Sequence, residues 1–187
     1  MYEVAEKNYM AKQTIEESGN AVTLIKYKAE GLTMETCAPF LDDPMTIFPI
    51  VNNRLTPVPL DDVDGYKTYH MKLELPMLVS NRSIVTTLYF ETLDDGTRRM
   101  IHSCLGNEAT VESLEAEIGS DVVANVIIAY WEFKPYDGGV EIKHVNCFDP
   151  CGWLIDYIKQ KMATRIANGL EIIVDYLKDG TIPEPIF

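Results

Sequence analysis

Alternating apolar and polar positions mark much of the chain as strand. Across 66–75, Tyr69, Met71, Leu73 and Leu75 share one side of an extended backbone, and Thr68, His70, Lys72 and Glu74 share the other. Across 83–93, Ile84, Thr86, Leu88 and Phe90 oppose Val85, Thr87, Tyr89 and Glu91. Asp94-Asp95-Gly96 predicts a tight turn into a partner strand at 97–105. Residues 121–134 predict a long strand whose wet face carries Glu132 and Lys134, so Asn125, Ile127, Ala129, Trp131 and Phe133 are expected inside. Asp137-Gly138-Gly139 turns into 140–147, with Glu141 and Lys143 outward and Val140, Ile142, His144 and Asn146 inward. Two further strands, 7–17 and 21–30, precede these and are joined at Ser18-Gly19-Asn20.

Helical periods interrupt the strands at defined places. Met34, Cys37, Ala38 and Leu41 fall at i, i+3, i+4 and i+7 behind Thr33, a capping residue, and Pro44 and Pro49 split off a second short helix or turn. Residues 54–65, rich in Pro and Asp, read as loop, and 110–118 as a short acidic helix stopped by Gly119. The longest element comes last. Asp149-Pro150 is expected to cap and open a helix whose stripe runs Leu154, Ile158, Met162, Ile166, Leu170, Val174, Leu177 before Gly180 and Pro183 end it. The order β-β-α-α-β-β-β-β-β-α implies a curved antiparallel sheet, with two short helices and one long helix over its concave face and room for a ligand between the layers.

Composition narrows the function. The chain has 187 residues, enough for one domain with a core and a cavity, and is expected to be a single unit. Its formal charge of −13 opposes binding to phosphate backbones, so no nucleic-acid partner is expected. Residues 1–30 lack the pattern of a secretory signal, and no apolar run approaches a membrane span, so a cytoplasmic protein is expected. The cysteines Cys37, Cys104, Cys147 and Cys151 contain no C-x-x-C pair and read as free thiols.

Three local motifs carry a resemblance to a known family. Phe148-Asp149-Pro150-Cys151-Gly152-Trp153-Leu154, running into Asp156-Tyr157-Ile158, resembles the end of the last strand and the start of the last helix in the START family, the lipid-transfer domains related to the steroidogenic acute regulatory protein. Pro76 through Asn81-Arg82-Ser83-Ile84-Val85 is similar to that family's proline, spacer and Asn-Arg-Asp segment, and Trp131-Glu132-Phe133-Lys134-Pro135 to its proline-ended strand. The likeness spans about residues 9 to 178 of the single domain 1–187. It implies an α+β helix-grip fold (START/Bet v 1-like) and a lipid such as a sterol, phospholipid or ceramide held in an internal cavity. It also implies transient membrane contact, no cofactor and no catalysis. The chain departs from the family in having Ser83 for the aspartate, Ile155 for a proline, and Leu88 and Leu73 where many members place an arginine and an acid.

Together these readings nominate a lipid-binding wall of Tyr69, Met71, Leu73, Thr86, Leu88, Phe90, Asn125, Ile127, Trp131, Phe133, His144, Asn146, Ile166, Leu170 and Val174. Periodicity alone makes the aromatic and helical stripes packed core. It is the resemblance that makes Ile166, Leu170 and Val174 a cavity wall. Thr86, Asn125, His144 and Asn146 are the polar groups expected inside, each needing a partner from ligand, water or protein. His144, Cys147 and Cys151 have poor metal spacing, since alternation sends His144 and Cys147 to opposite faces, and no metal is expected. No nucleophile elbow, phosphate loop or zinc-protease motif occurs. The alternatives kept open are a polyketide cyclase or aromatase on the same fold, for which His144 is the plausible inward acid–base, and a protein-interaction module with a collapsed cavity.

Overall fold

The computed structural model describes residues 2–6, 9–15, 20–76, 79–152 and 155–181, with side chains left undescribed in 2–9, at 15 and in 155–163. The strands are β1 (Tyr2–Glu6), β2 (Tyr9–Ile15), β3 (Ala21–Glu30), β4 (Leu55–Pro59), β5 (Thr68–Leu73), β6 (Arg82–Thr92), β7 (Arg98–Ser103), β8 (Val122–Val123), β9 (Asn125–Tyr136) and β10 (Gly139–Asp149). The helices are α1 (Met34–Asp42), α2 (Phe48–Val51), α3 (Glu108–Ser113), α4 (Glu115–Ile118) and α5 (Ile155–Asp179), with a 3₁₀ turn at Pro44–Thr46. The sheet runs β1-β2-β3-β10-β9-β7-β6-β5-β4, antiparallel throughout, and β8 adds a short parallel pairing to β6.

Hairpins account for most neighbours in that order. Sequence adjacency does not supply two pairings: β7 with β9, across α3, α4 and β8, and β3 with β10, from Ala21↔Phe148 to Glu30↔Gly139. The latter joins the amino-terminal strands to the carboxy-terminal pair. Gly139 sits where the two strands press together, and a Cβ there would come within 2.3 Å of the Ala29 carbonyl oxygen.

Thr33 caps α1 in a reciprocal box, accepting from the Thr36 amide at 3.2 Å while the Thr36 hydroxyl accepts from the Thr33 amide at 3.0 Å. Pro39 lies inside α1, and Asp43 ends it while capping the 3₁₀ turn. The core forms between this helical segment, the sheet and the later half of α5. Phe40 is fully buried, edge-on to Trp131 at 5.1 Å and tilted against Phe133 at 5.7 Å, and Val174 and Leu88 are fully buried in the same cluster.

Three expectations are corrected here. Residues 55–59, read as loop, form the edge strand β4 against β5; Pro57 and Pro59 are tolerated because an edge strand has one unpaired side. Asp149-Pro150 does not open the last helix. Asp149 ends β10, and Cys151 (φ 49°) and Gly152 (φ 79°) take left-handed backbone, which no helix can pass through. The chain begins with two paired strands, 2–6 and 9–15, rather than one at 7–17. The turn at Ser18-Gly19, the start of the helical stripe at Leu154, Ile158 and Met162, and Pro183 lie outside the described residues and side chains.

Candidate functional site: a cavity under the last helix

A cavity of about 360 Å³ lies between α5 and the concave face of the sheet. Its floor is built by period-two positions from five strands. Met71 and Leu73 come from β5, Arg82 and Ile84 from β6, His102 from β7, Val126, Ala129 and Trp131 from β9, and His144, Asn146 and Phe148 from β10. The roof is Arg165, Ile166, Gly169, Leu170 and Ile173 of α5, and one end is closed by Phe48, Val51 and Leu55. The charged groups on the lining are Arg54, Glu74, Arg82 and the helical Arg165.

Seven of the nominated residues meet on this wall: Met71, Leu73, Trp131, His144, Asn146, Ile166 and Leu170. Tyr69, Thr86, Leu88, Phe133 and Val174 are buried but belong to the packed layer rather than the wall, a correction to their assignment. Tyr69 has its own partner, donating its hydroxyl to Asp43 Oδ2 at 3.0 Å. Phe90 is 39% exposed and lies with Leu41, Tyr66 and Arg98 at a separate surface depression.

Asn125 and Ile127 are off the wall for a different reason. The β9–β10 register runs Cys147↔Ile128 and then Phe148↔Val126, so a bulge at Ile127 reverses the alternation below it. Val126 points in where Ile127 was expected, and Asn125 is exposed, with its amide 3.7 Å from Cys151 Sγ. Sequence reasoning missed Val126 and Phe148, since nothing local announces a bulge. It also missed Phe48, Val51 and Leu55, which fall in segments read as turn or loop. Ile173 was within reach, being three residues past Leu170 on the same helical face.

The middle of the floor is aromatic and polar at once. The His144 ring stacks on Trp131 with centroids 3.7 Å apart, and Phe48 leans over His102 at 5.5 Å. His144 Nδ1–H donates to the Tyr130 carbonyl at 3.0 Å, leaving Nε2 as acceptor. Burial pushes His102 down to about 3 and His144 down to about 4, so both rings are neutral at neutral pH and are weak proton acceptors there. His102 Nε2, Trp131 Nε1 and Thr86 Oγ1 are buried without a hydrogen-bond partner.

Arg82 explains why two of the sequence motifs occur together. It is 3% exposed, and its guanidinium donates from Nε to the Pro150 carbonyl at 2.6 Å and from Nη2 to the Cys151 carbonyl at 3.1 Å. Nη1 donates to the Ser80 carbonyl. The motif at 76–85 is thereby fastened to the motif at 148–154. Ser83, on the outer side of β6, bonds His70 Nε2 at 3.0 Å and Asp121 Oδ2 at 3.4 Å. Its hydroxyl is fully buried, and the serine rather than the histidine bridges the other two, so the trio lacks the order of a nucleophilic triad. Among the described residues, no three His, Cys, Asp or Glu side chains come together as metal ligands. Burial lifts the thiols of Cys37 and Cys104 to about 11, which keeps them protonated.

No family model matches the chain, and no curated protein matches it. Solved structures do. Human StAR-related lipid transfer protein 5 superposes with a TM-score of 0.76 at 11% identity, over 95% of this chain and 86% of that one. A STAR-related lipid transfer protein fragment from Xanthomonas axonopodis gives 0.72 at 13% identity, over 95% and 98%. The lipid transfer and protein localization domain of human StarD13 (DLC2) gives 0.68 at 13%, over 98% and 89%. The chain therefore has the helix-grip fold of the StAR-related lipid-transfer domains, as the order of its elements implies.

Proposed function

We propose that this chain is a non-catalytic lipid carrier. It buries the apolar part of one lipid molecule between α5 and the sheet, and it loads and unloads by transient contact of a cytoplasmic protein with membranes. The observation that carries the reading is the cavity itself: about 360 Å³ of space walled by Met71, Leu73, Trp131, Phe148, Ile166 and Leu170, in a fold whose other interior side chains are packed together. Protein interiors seldom leave such a volume open without use. The similar solved structures are lipid-transfer proteins by title, which supports the same class of ligand. Among the described residues, no helix is long and apolar enough to cross a membrane.

Leu170→Trp tests this. Leu170 is 1% exposed and faces the cavity, so the larger ring has space to enter. The expected result is at least about tenfold less lipid retained after incubation with vesicles and gel filtration, with the melting temperature unchanged. If Leu170 is merely core, the variant should instead lose about 1–3 kcal/mol of stability through overpacking and retain lipid as before.

A further inference from the structure

The charge on the cavity wall runs opposite to that of the protein. The chain has 29 acids against 16 lysines and arginines, yet the charged residues lining the cavity are Arg54, Arg82 and Arg165 with a single acid, Glu74. Arg165 is already engaged. Arg82 is the group that matters. It is buried, and its hydrogen bonds go to the backbone carbonyls of Ser80, Asn81, Pro150 and Cys151. Among the described residues, no carboxylate forms an ion pair with it or with Arg54. Carbonyl dipoles satisfy N–H donors but do not neutralise a charge, and buried cations ordinarily have an anionic partner.

Resting on the lipid-carrier reading, we propose that the ligand's own headgroup supplies counter-charge to these arginines: the cavity takes a single-chain lipid with an anionic head, a carboxylate or a phosphate. The head is bound at Arg82 and Arg54, and the chain runs inward along Ile84, Trp131 and Leu170. Size supports one chain. At about 360 Å³ the cavity lies near the small end of the range for ligand pockets, about 300–1,000 Å³. Arg82, whose N–H groups are given to carbonyls, supplies charge to the site, and Arg54 supplies the planar N–H fork that matches the oxygens of either anion.

The test uses the unmodified protein and a ligand series with one chain length: myristic acid, the matching alkyl phosphate, the methyl ester and the alcohol, titrated by calorimetry below their aggregation concentrations. An anion should bind about tenfold or more tightly than the ester and the alcohol. The carboxylate being the tighter of the two identifies a fatty-acid-like ligand, and the phosphate being the tighter identifies a lipid phosphate. Because Arg82 also fastens the backbone, the accompanying variant is Arg54→Gln, which should shrink the ratio of anion to ester affinity; a ratio equal to that of the unmodified protein would overturn the assignment of the head to Arg54. Ester or alcohol binding as tightly as both anions would overturn the proposal while leaving the lipid-carrier reading in place. No binding by any of the four would overturn both.

Discussion

His144 shows what the fold asks of single residues. Stacked on Trp131 and tied to the Tyr130 carbonyl, it is kept neutral by burial, as His102 is. His70, bonded to Ser83 on the other face, is also held below its ordinary value, chiefly by burial. The sign follows from the direction of these shifts. Each histidine takes up a proton more readily unfolded than folded, so its contribution to stability is complete above about pH 6.5 and is lost as pH falls toward about 4 and then about 3. Melting temperature should therefore fall progressively from pH 7 to pH 4, and His144→Gln should flatten that slope. A slope unchanged in the variant would mean that the ring is not held neutral. Arg82 gives a second prediction at this scale. Arg82→Lys keeps the charge but loses the fork that reaches four backbone carbonyls, and urea denaturation should show a loss of about 2 kcal/mol.

At the scale of elements, Gly169 is the informative position. It lies inside α5, faces the cavity, and a Cβ there would meet Val51 Cγ1 at 3.5 Å, an ordinary contact. Glycine costs a helix interior up to about 1 kcal/mol relative to alanine, so Gly169→Ala should stabilise the protein by about 0.5–1 kcal/mol in thermal unfolding. It should do so while slightly narrowing the ligand space. Loss of stability would show that α2 and α5 cannot yield by even a methyl group. The elements themselves were largely legible in the residues. Two-residue alternation placed β5, β6 and β10 correctly, and Met71, Leu73, His144 and Asn146 reach the wall as it implied. It failed in β9 below Ala129, where one extra residue turned Ile127 and Asn125 outward, because a bulge is decided by pairing with β10 and not by local composition. It failed again at Asp149-Pro150, where a good helix-start signal was overridden by the left-handed backbone at Cys151 and Gly152.

For the whole molecule, what the residues could not say was which of the buried positions enclose space. Tyr69, Leu88, Phe133 and Val174 keep the same periodicity as their cavity-lining neighbours, yet they belong to the packed core and not to the wall. The difference lies in where α1 and α2 sit: Phe40 fills the region above Phe133 and Trp131, while the earlier part of the described roof, at Ile166 and Leu170, stands off the sheet. That separation is a property of the assembled layers, and the account depends on its holding a ligand. Native mass spectrometry of the purified protein after incubation with lipid vesicles tests this most directly. The account predicts one added lipid mass per chain, removed by organic extraction and absent in Leu170→Trp. A spectrum showing only the bare chain, with hydrogen exchange identical before and after exposure to lipid, would contradict it.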